Sequence, residues 1–504
     1  MRLAELLAGW GGLEVRGSTD VEIAGIEHDS RKVEPGFLFV GIRGFRHDGH
    51  AFIPQALARG AVAVMAEQDP TGLAVPAGVA VIRVPDARAA LAEAAGRFFG
   101  HPSRRLTLIG VTGTNGKTTT TYLLEAILAA AGRIVGLLGT IQYRCGDVSI
   151  TGERTTPEAS DLQSLLARMC GLGAWGAVME VSSHSLELKR VAGCEFDVGI
   201  FTNLTQDHLD FHGTMQAYAE AKARLFQMLG TDRTKPGEAG AVLNAEDPWT
   251  PFLAARTRAR VLRYALEGEA DLAVRASEFR LAGLRATVDS PWGRFEVASP
   301  LVGRHNLANI LGAAGGCLHL GVDRDTVVRG VAALRAVPGR FEKVEAGQPF
   351  GVVVDYAHTP DALERTLQTA RQFAAGRVIA LFGCGGDRDR GKRPIMGEAA
   401  ARLADLVVVT SDNPRSEDPD AIVAEIEVGV ARAGTGAAEH VTIADRREAI
   451  AESLRRARPG DLVVLAGKGH ETYQTLRDRT IPFDDRVVAR GALAALGFRA
   501  PAGG

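Results

Sequence analysis

The residues best suited to chemistry form a glycine-rich run, Thr112-Gly113-Thr114-Asn115-Gly116-Lys117-Thr118. An apolar segment at 106–111 predicts a strand before it, and apolar residues at helical spacing over 117–131 predict a helix after it. The N–H groups of such a loop can surround phosphate, while its lysine reaches the outer phosphates and a hydroxyl binds Mg²⁺. Val111 replaces the usual glycine or alanine, so the run is a variant P-loop. An unrelated glycine-rich turn is the alternative.

A carboxylate follows in the second chemical motif, Val178-Met179-Glu180-Val181-Ser182-Ser183-His184. The apolar residues over 177–181 predict a strand, and an acid at the end of such a strand is where a metal-linked carboxylate is expected. Taken alone, Glu180 reads equally well as a strand-end residue in solvent.

Two histidines lie in the run Asn203-Leu204-Thr205-Gln206-Asp207-His208-Leu209-Asp210-Phe211-His212, which follows a predicted strand at 198–202. His208 and His212 are spaced like a metal-binding pair on a helix, but Gly213 argues against a continuous helix there. A lone histidine in such a run is more often structural. We therefore treat His208 as a metal candidate only if it lies beside Glu180 and Thr118.

Lysine is rare in this chain. Of 58 basic residues only eight are lysines, and the remainder are arginines. Arginine neither loses its proton nor acts as a compact point charge, so lysine can persist where arginine cannot serve, although chance also explains part of the set. Lys222 lies in a predicted helix at 218–226; without further context it reads as an exposed surface residue.

Three α/β regions position these motifs, and we expect domains at 1–100, 101–335 and 336–504. The first, a small α/β domain, has predicted helices at 51–59 and 87–99 and strands at 61–66 and 79–84. In the last, strands are predicted at 351–356, 377–383, 406–411, 440–444 and 461–466, with helices at 361–374, 393–404, 422–433 and 447–457. Strands that alternate with helices indicate parallel sheets covered on both faces. The fold class is α/β, with a central P-loop ATPase-type sheet and a C-terminal Rossmann-like sheet.

The overall composition is that of a globular protein, with 46% hydrophobic and 23% charged residues. A net charge of −2 gives no bulk attraction for nucleic acid or an anionic membrane. No segment approaches the length of about 20 apolar residues that a transmembrane helix needs. An acid at Glu5 comes too early for the apolar region of a signal peptide. We therefore expect a cytoplasmic protein with neither nucleic acid nor membrane among its partners.

The five cysteines are scattered, odd in number and without a CxxC pair. This pattern predicts free thiols and neither a disulfide framework nor a zinc site.

Taken in order, the P-loop variant, the Glu180 and His208 motifs and the Lys222 helix resemble the Mur ligases. The resemblance spans the chain through further motifs: Asp29-Ser30-Arg31-Lys32, Gly303-Arg304-His305-Asn306-Leu307-Ala308-Asn309, Pro338-Gly339-Arg340-Phe341-Glu342 and Asp355-Tyr356-Ala357-His358-Thr359-Pro360. Three more motifs resemble the branch that adds the third residue of the peptide: Gly385-Gly386-Asp387-Arg388-Asp389, Asp412-Asn413-Pro414-Arg415 and Gly467-Lys468-Gly469-His470-Glu471.

The resemblance implies an ATP-dependent, amide-forming enzyme of cytoplasmic peptidoglycan synthesis. Its substrate would be UDP-N-acetylmuramoyl-L-alanyl-D-glutamate, whose D-glutamate side-chain carboxylate would become an acyl phosphate before an amino acid attacks it. The Asp-Asn-Pro-Arg form implies that this amino acid is meso-diaminopimelate. We expect a monomer that uses Mg²⁺.

The resemblance also implies roles for individual residues. Catalytic roles fall to Lys117, Glu180, His208 and Lys222. Magnesium would be held by Thr118, Glu180, His208 and Lys222, with the lysine modified by CO₂ to a carbamate. ATP would contact Gly113, Thr114, Asn115, Gly116, Lys117, Thr118, Thr119, Asn306, Arg340, Asp355 and His358. The UDP-linked substrate would meet Ser30, Thr155, Thr156, Ser182 and Arg190. Read without the family, the alternative for Asn306 is a helix cap, and residues 155–158 read equally well as a turn that starts a helix.

The diaminopimelate site implied by the resemblance combines cations and acceptors. Arg415 would bind the distal carboxylate as a two-pronged cation, and Arg388 would bind the other carboxylate. The distal ammonium would donate hydrogen bonds to Asp412, Asn413, Glu471 and the Gly467 carbonyl, next to Pro414.

Three other functions remain open at this point. One is the same reaction with L-lysine, and a second is a ligase similar to folylpolyglutamate synthetase, which would not be expected to carry the Asp412–Arg415 motif. The third is a nucleotide-binding switch without catalysis, which would need no amino-acid site.

Overall fold

The computed structural model of the chain describes residues 1–44, 47–68, 75–152, 154–434 and 438–499. The chain forms two compact units. The first comprises Met1–Ser277, Arg285–Ala298 and Arg304–Ala333, and the second comprises Glu278–Leu284, Ser299–Gly303 and Leu334–Gly504. The expected domain boundaries stay predictions. No helix among the described residues is long and apolar enough to cross a membrane.

The first unit begins with a five-stranded sheet of order β1-β5-β4-β3-β2, in which only β1 runs antiparallel. Its strands are β1 (Glu14–Arg16), β2 (Gly25–Glu27), β3 (Phe37–Gly41), β4 (Ala63–Ala66) and β5 (Ala80–Arg83), and its helices are α1 (Leu3–Leu7), α2 (Ile53–Ala58) and α3 (Ala87–Phe98). Helix α3 begins at Ala87 because the Asp86 carboxylate accepts a hydrogen bond from the Ala89 N–H at 2.8 Å. The four elements expected between 51 and 99 are confirmed.

The rest of the first unit is built on an eleven-stranded sheet of order β16-β15-β14-β13-β12-β11-β6-β10-β7-β8-β9. Its strands are β6 (Thr107–Thr112), β7 (Val135–Leu138), β8 (Gln142–Cys145), β9 (Val148–Thr151), β10 (Gly176–Glu180), β11 (Val198–Phe201), β12 (Gly240–Asn244), β13 (Arg260–Ala265), β14 (Leu272–Arg280), β15 (Gly283–Asp289) and β16 (Phe295–Ser299). The helices are α4 (Lys117–Ala130), α5 (Ala159–Gly171), α6 (Ser183–Glu187), α7 (Leu209–His212), α8 (Met215–Met228), α9 (Thr250–Ala254), α10 (Arg304–His319) and α11 (Arg324–Ala333).

The strands at the middle of this sheet bring the sequence motifs together. Strand β6 pairs in parallel with β10 on one side and β11 on the other, and all three are buried along nearly their whole length. The carboxyl ends of parallel strands meet at one edge of a sheet, where ligands bind. The P-loop, Glu180 and the run that starts at Asn203 therefore leave the sheet side by side.

The second unit is built on a six-stranded sheet of order β17-β18-β22-β19-β20-β21, parallel except for β17. The strands are β17 (Glu342–Lys343), β18 (Gly351–Asp355), β19 (Val378–Phe382), β20 (Leu406–Val409), β21 (Glu439–Thr442) and β22 (Leu462–Ala466), followed by the hairpin of β23 (Tyr473–Thr475) and β24 (Thr480–Pro482). The helices are α12 (Pro360–Phe373), α13 (Lys392–Leu403), α14 (Pro419–Arg432), α15 (Arg446–Arg456) and α16 (Asp485–Ala495).

The alternation expected for this region is confirmed, and so is the α/β fold class. One boundary differs by three residues: α14 begins at Pro419 rather than at 422. The Asp418 carboxylate caps the helix by accepting from the Asp420 N–H, and proline at the first helical position has the φ angle that the helix needs.

A buried ion pair joins two helices of the second unit. The side chains of Arg446 and Asp485 are both fully buried. Arg446 Nη2 and Nε donate to the Asp485 carboxylate at 2.6 and 2.8 Å. Arg446 also donates to the carbonyl oxygens of Ala466 and Ser411, at the ends of two strands that carry site residues.

Replacement of Asp485 by alanine should lower the free energy of unfolding by about 3–5 kcal/mol, because Arg446 would remain buried without its counter-ion. Urea unfolding followed by circular dichroism measures this loss. The four tryptophans, Trp10, Trp175, Trp249 and Trp292, all lie in the first unit, so their fluorescence should report an unchanged transition there. Asp478→Ala, at an exposed position, is the control and should change stability by less than about 0.5 kcal/mol. An equally small effect of Asp485→Ala would contradict the prediction.

Candidate active site

The P-loop is held in place by the segment that follows β11. The Thr114 N–H donates to the Asn203 carbonyl at 2.8 Å, and the Asn115 N–H donates to the Asn203 side-chain oxygen at 3.0 Å. In return, the Thr202 hydroxyl donates to the Asn115 carbonyl at 2.6 Å. No role was predicted for Thr202 and Asn203 from the sequence; their position at the end of the strand that flanks the P-loop strand is the signal that could have found them.

Two glycines of the loop cannot be replaced without a collision. Gly113 has φ 149° and Gly116 has φ 90°, both in the region that favours glycine. A Cβ at Gly113 would overlap the Thr202 hydroxyl, and one at Gly116 would overlap the Asn309 side-chain oxygen. The tight fit keeps the loop N–H groups in one arrangement at the start of α4, where the helix dipole favours an anion.

Lys117 and Lys222 converge on the same carbonyl. Lys117 Nζ donates to the carbonyl oxygens of Gly113 and Thr114, each at 2.8 Å, and Lys222 Nζ donates to that of Gly113 at 2.9 Å. Lys222 is 1% exposed, in the face of α8 that packs on the P-loop, so the surface interpretation of this lysine is wrong. Burial, together with repulsion from Lys117, lowers the pKa of Lys222 well below its usual value. Its amine is therefore shifted toward the neutral, nucleophilic form.

Glu180 is a buried carboxylate surrounded by neutral donors at the end of β10. It accepts from the Thr118 hydroxyl at 2.9 Å and from the Thr140 N–H and hydroxyl at 2.9 and 3.1 Å. The solvent-exposed interpretation of Glu180 is wrong, since it is 1% exposed. Thr140 was not singled out in the sequence, and no local pattern marks it. Oxygen atoms of a carboxylate and a hydroxyl in contact are the ligand types that suit Mg²⁺.

His208 lies at the start of the one-turn helix α7, with φ 54°. Its Nε2 lies 3.3 Å from the Asp207 carboxylate, and its ring contacts those of His184 and Tyr218 at centroid distances of 4.8 and 6.2 Å. Its grouping with Glu180 and Thr118 stays a prediction. The two histidines flank a single helical turn, since α7 covers Leu209–His212 with His208 at its N-cap and the His212 N–H donates to the His208 carbonyl at 2.9 Å. The helix does not extend further, because Gly213 follows directly as the C-cap.

His184 lies at the centre of an aromatic cluster near this run. Its ring stacks on Phe211 at 4.2 Å and meets the His212 ring at 5.5 Å. Burial, with His208 and His212 nearby, lowers the pKa of His184 to about 4, so the ring is neutral at pH 7. Across the described ranges, no group of three or more histidine, cysteine or acidic side chains is arranged to hold a metal ion.

Four of the five residues expected to bind the UDP-linked substrate lie close to Glu180. The Thr155 hydroxyl lies 3.0 Å from that of Thr140, and the Thr156 hydroxyl donates to the Glu180 carbonyl at 2.8 Å and lies 3.4 Å from the Ser182 hydroxyl. Arg190 donates to the Thr156 carbonyl at 3.2 Å and pairs with Glu158 at 2.9 Å. The turn and helix start expected at 155–158 is also present, since α5 begins at Ala159.

Ser30 lies apart from these four residues along the chain, at the N-terminal sheet. Its hydroxyl is buried and donates to the Gln55 side-chain oxygen at 2.7 Å.

Asn306 lies inside the first turn of α10, where it is buried and accepts from Asn309 at 3.2 Å. Its position inside the helix argues against the helix-cap interpretation.

The second unit holds the other nucleotide candidates around Tyr356. The Arg340 guanidinium lies 4.9 Å from the centre of the Tyr356 ring, and His358 Nδ1 lies 2.8 Å from the Tyr356 carbonyl. The Asp355 carboxylate accepts from the Phe341 N–H at 2.7 Å and the Thr366 hydroxyl at 3.1 Å. Burial raises the pKa of Asp355 and lowers that of His358.

The residues expected to bind diaminopimelate form a second group in this unit. Arg415 donates to the Gly386 carbonyl at 2.8 Å, and its backbone N–H donates to the Thr475 carbonyl at 3.1 Å. Asn413 donates to the Glu471 carboxylate at 2.9 Å. Arg415 and Asp387 both have left-handed backbones, with φ 52° and 53°.

The same group includes three residues that differ in exposure. Asp412 and Pro414 are buried, while Arg388 is exposed and donates to the Asp387 carbonyl at 3.0 Å. Gly467 has φ 111°, and a Cβ there would lie 3.2 Å from the Asp412 carboxylate. The glycine therefore lets this carboxylate approach the backbone closely.

Three family descriptions match this chain. Residues 22–99 match the description "Mur ligase family, catalytic domain", residues 111–317 match "Mur ligase middle domain", and residues 339–469 match "Mur ligase, glutamate ligase domain".

Similar proteins cover nearly the whole chain. Two relatives are named UDP-N-acetylmuramoyl-L-alanyl-D-glutamate--2,6-diaminopimelate ligase. The relative from Geobacillus thermodenitrificans is 47% identical over 98% of this chain and 99% of its own chain. The relative from Gloeobacter violaceus is 49% identical over 98% of this chain and 98% of its own chain. A solved structure of a protein with the same name superposes with a TM-score of 0.70, at 36% identity over 99% of both chains. A MurF ligase from Thermotoga maritima in complex with ADP shares the fold at a TM-score of 0.60, with 24% identity over 88% of this chain and 94% of its own.

Replacement of Gly113 by alanine should weaken binding of a non-hydrolysable ATP analogue by at least about tenfold. The loop must shift to relieve the overlap with Thr202, and it then loses charge-assisted hydrogen bonds to phosphate. Isothermal titration calorimetry measures the affinity. Gly132→Ala is the matched control, since Gly132 also has a positive φ, 72°, but lies in open space at the far end of α4. Equal effects of the two substitutions would contradict the prediction.

Proposed function

The chain belongs to the Mur ligase family, and on that premise we propose that it joins meso-diaminopimelate to the D-glutamate side-chain carboxylate of UDP-N-acetylmuramoyl-L-alanyl-D-glutamate, with conversion of ATP to ADP and phosphate. The observation that carries the choice of amino acid is the second-unit group that contains the Arg415 guanidinium, which donates to the Gly386 carbonyl, and the carboxylates of Asp412 and Glu471, which both lie within 4 Å of Lys468 Nζ. Such a group offers opposite charges to the carboxylate and the ammonium at the distal end of one substrate.

The first chemical step is activation of a carboxylate, whose oxygen is a poor leaving group. Transfer of the γ-phosphoryl group to the D-glutamate side chain would give an acyl phosphate, which the amine of diaminopimelate attacks with release of phosphate. Phosphoryl transfer depends mostly on positioning and on neutralisation of charge. In this chain, Lys117 and the N–H groups of residues 116–119 would hold the β- and γ-phosphates, since those of Thr114 and Asn115 donate to Asn203.

The oxygen donors around Glu180 fit a divalent cation. Thr118 and Glu180 would hold one Mg²⁺, and His208 with a modified Lys222 would hold a second, so that the ions neutralise charge on the transferring phosphate. Thr140 would keep the Glu180 carboxylate in orientation through its two hydrogen bonds.

Lys222 is the residue that we propose to be modified. A neutral amine adds CO₂ and loses a proton to give a carbamate, which replaces a cation by an anionic pair of oxygens. The low pKa of the buried amine supports this reaction, and the remaining N–H could still donate to the Gly113 carbonyl. An unmodified ammonium at this place would repel a metal ion.

The substrate groups are assigned to the remaining candidates as follows. Ser30, Thr155, Thr156, Ser182 and Arg190 would contact the UDP-linked dipeptide, and Asn306, Arg340, Asp355 and His358 would contact the nucleotide. Arg388 and Arg415 would each bind one carboxylate of diaminopimelate. Asp412, Glu471 and the Gly467 carbonyl would accept from the distal ammonium, next to Asn413 and Pro414.

We also propose the division into domains at 1–100, 101–335 and 336–504, since each matched family segment falls inside one of these ranges. The reaction is proposed to take place in the cytoplasm. The protein is proposed to act as a monomer, and analytical ultracentrifugation tests this.

The function is tested with the purified protein, Mg²⁺, ATP and UDP-N-acetylmuramoyl-L-alanyl-D-glutamate, to which meso-diaminopimelate, L-lysine or L-ornithine is added. We expect ADP and a lengthened muramyl peptide with meso-diaminopimelate, and phosphate release only when the dipeptide and the amino acid are both present. A product with L-lysine alone would favour the lysine-adding reaction, and absence of ADP with every amino acid would reject the proposal.

Replacement of Lys222 by alanine should lower the turnover rate by at least roughly tenfold to a hundredfold, the loss expected when a group that organises a metal site is removed. Bicarbonate or a short carboxylic acid should restore part of the rate by supplying the missing oxygens. Lys117→Ala is the control: it should also be inactive, but without rescue, because a carboxylate cannot replace a phosphate-binding cation. Absence of rescue for Lys222→Ala would count against the carbamate.

Replacement of Arg415 by alanine should reduce the preference for meso-diaminopimelate over L-lysine by roughly 10- to 100-fold, because charge-assisted hydrogen bonds worth about 1.5–3 kcal/mol are lost only for the substrate with a distal carboxylate. The ratio of kcat/KM for the two amino acids measures the change. Arg477→Ala, an exposed arginine of the adjacent hairpin loop, should leave the ratio unchanged. A strong preference retained by Arg415→Ala would refute the assignment.

A further inference from the structure

Lys468 is a fully buried lysine to which the proposed reaction gives no role. It follows β22 in the turn Gly467-Lys468-Gly469, whose two glycines have φ angles of 111° and 54°, and its side chain is 0% exposed. A buried ammonium is costly unless it is paired and hydrogen-bonded. The identity of its partners therefore shows what the charge stabilises.

All three polar partners of this ammonium are residues assigned to the amino acid. Lys468 Nζ donates to the Glu471 carboxylate at 2.9 Å and to the Asn413 side-chain oxygen at 3.2 Å, and it lies 3.6 Å from the Asp412 carboxylate. Among the described residues, the buried Asp412 Oδ1 atom has no hydrogen-bond partner. The lysine thus lies among the groups that are proposed to accept from the distal ammonium.

The contacts of Lys468 also fix the orientation of the Asn413 amide. The Thr475 backbone N–H donates to Asn413 Oδ1 at 2.9 Å, and an N–H can only donate, so this atom must be the oxygen. With Lys468 as a second donor, both lone pairs of that oxygen are occupied, and Nδ2 donates to Glu471. Asn413 is therefore not an acceptor for a further ammonium, which corrects the role expected from the sequence. The acceptors left are the carboxylates of Asp412 and Glu471 and the Gly467 carbonyl.

The charges of this cluster match a single ammonium. Two carboxylates and Lys468 together carry one negative charge, whereas the two carboxylates alone would repel one another across a buried site. Arg446, the other buried cation described above in this unit, has its own counter-ion, because it donates to the carboxylate of Asp485, a residue to which no substrate contact is assigned.

We propose that Lys468 is a positioning residue for amino-acid recognition: it orients Asn413 and Glu471 and reduces the charge of the acceptor group to one, so that the group selects a substrate with a distal ammonium. This inference rests on the proposed function. Lys468 acts through its neighbours and does not itself contact the substrate.

The test is Lys468→Met, which keeps the length of the side chain and removes its charge. We expect the KM for meso-diaminopimelate to rise by at least about tenfold, because that is the loss typical of a disrupted hydrogen bond to a charged group. The KM for ATP and the KM for the UDP-linked dipeptide should stay within about twofold of their original values. The ratio of kcat/KM for meso-diaminopimelate to that for 2-aminopimelate, which lacks the distal amino group, should fall by at least about tenfold. A merely structural loss would lower kcat/KM for both substrates by the same factor and leave this ratio unchanged.

Two further variants complete the experiment. Lys343→Met, at a partly buried lysine of the same unit that donates to the carbonyls of Leu281 and Ala282, should leave every parameter unchanged. Lys468→Gln keeps a donor without the charge and should give an intermediate ratio. An unchanged ratio in Lys468→Met, or loss of the folded state in both Lys468 variants, would overturn the inference. If the unsubstituted protein forms no product with meso-diaminopimelate, the proposed function fails instead.

Discussion

Two lysine side chains donate to one backbone carbonyl, that of Gly113, from 2.8 and 2.9 Å. Thr202 and Asn203 hold the loop that carries this acceptor from the neighbouring strand end, and a Cβ at Gly113 would overlap the Thr202 hydroxyl. The proximity of the two amines has a chemical result. Lys117 is partly buried, whereas Lys222 is 1% exposed, and burial together with repulsion from Lys117 lowers the pKa of Lys222. One backbone carbonyl thus joins two lysines that differ in their surroundings.

The sequence predicted those features whose causes are local. Strand β6, the P-loop and helix α4 follow from an apolar run, glycines and helical spacing within about two dozen neighbouring residues, and the alternation in the second unit follows from the same kind of pattern. The burial of Lys222 has no such local cause, because the carbonyl that accepts its hydrogen bond is 109 residues away. Thr140 likewise became recognisable only when β7 and β10 were paired, since that pairing brings it to Glu180.

The role of Asn413 shows the same limit more sharply. As a residue type it offers both a donor and an acceptor, and its place in the Asp412–Arg415 motif says nothing about which is available. The choice is made by the Thr475 N–H, 62 residues later, and by Lys468. Charge balance in the second unit is set in the same way. Arg446 forms an ion pair with Asp485, and Lys468 lies between the carboxylates of Asp412 and Glu471, so that its charge offsets one of the two.

The fixed amide of Asn413 has a consequence for the lifetime of the protein, because its next neighbour is Pro414. Spontaneous deamidation of asparagine begins when the backbone nitrogen of the following residue attacks the side-chain amide and loses its hydrogen, and proline has no such hydrogen. Conversion of Asn413 to aspartate would place a third acid against Glu471 and remove the donor that now faces it. The Asn-Pro sequence therefore protects, by its covalent chemistry, the side chain whose slow decay would do most harm to this cluster.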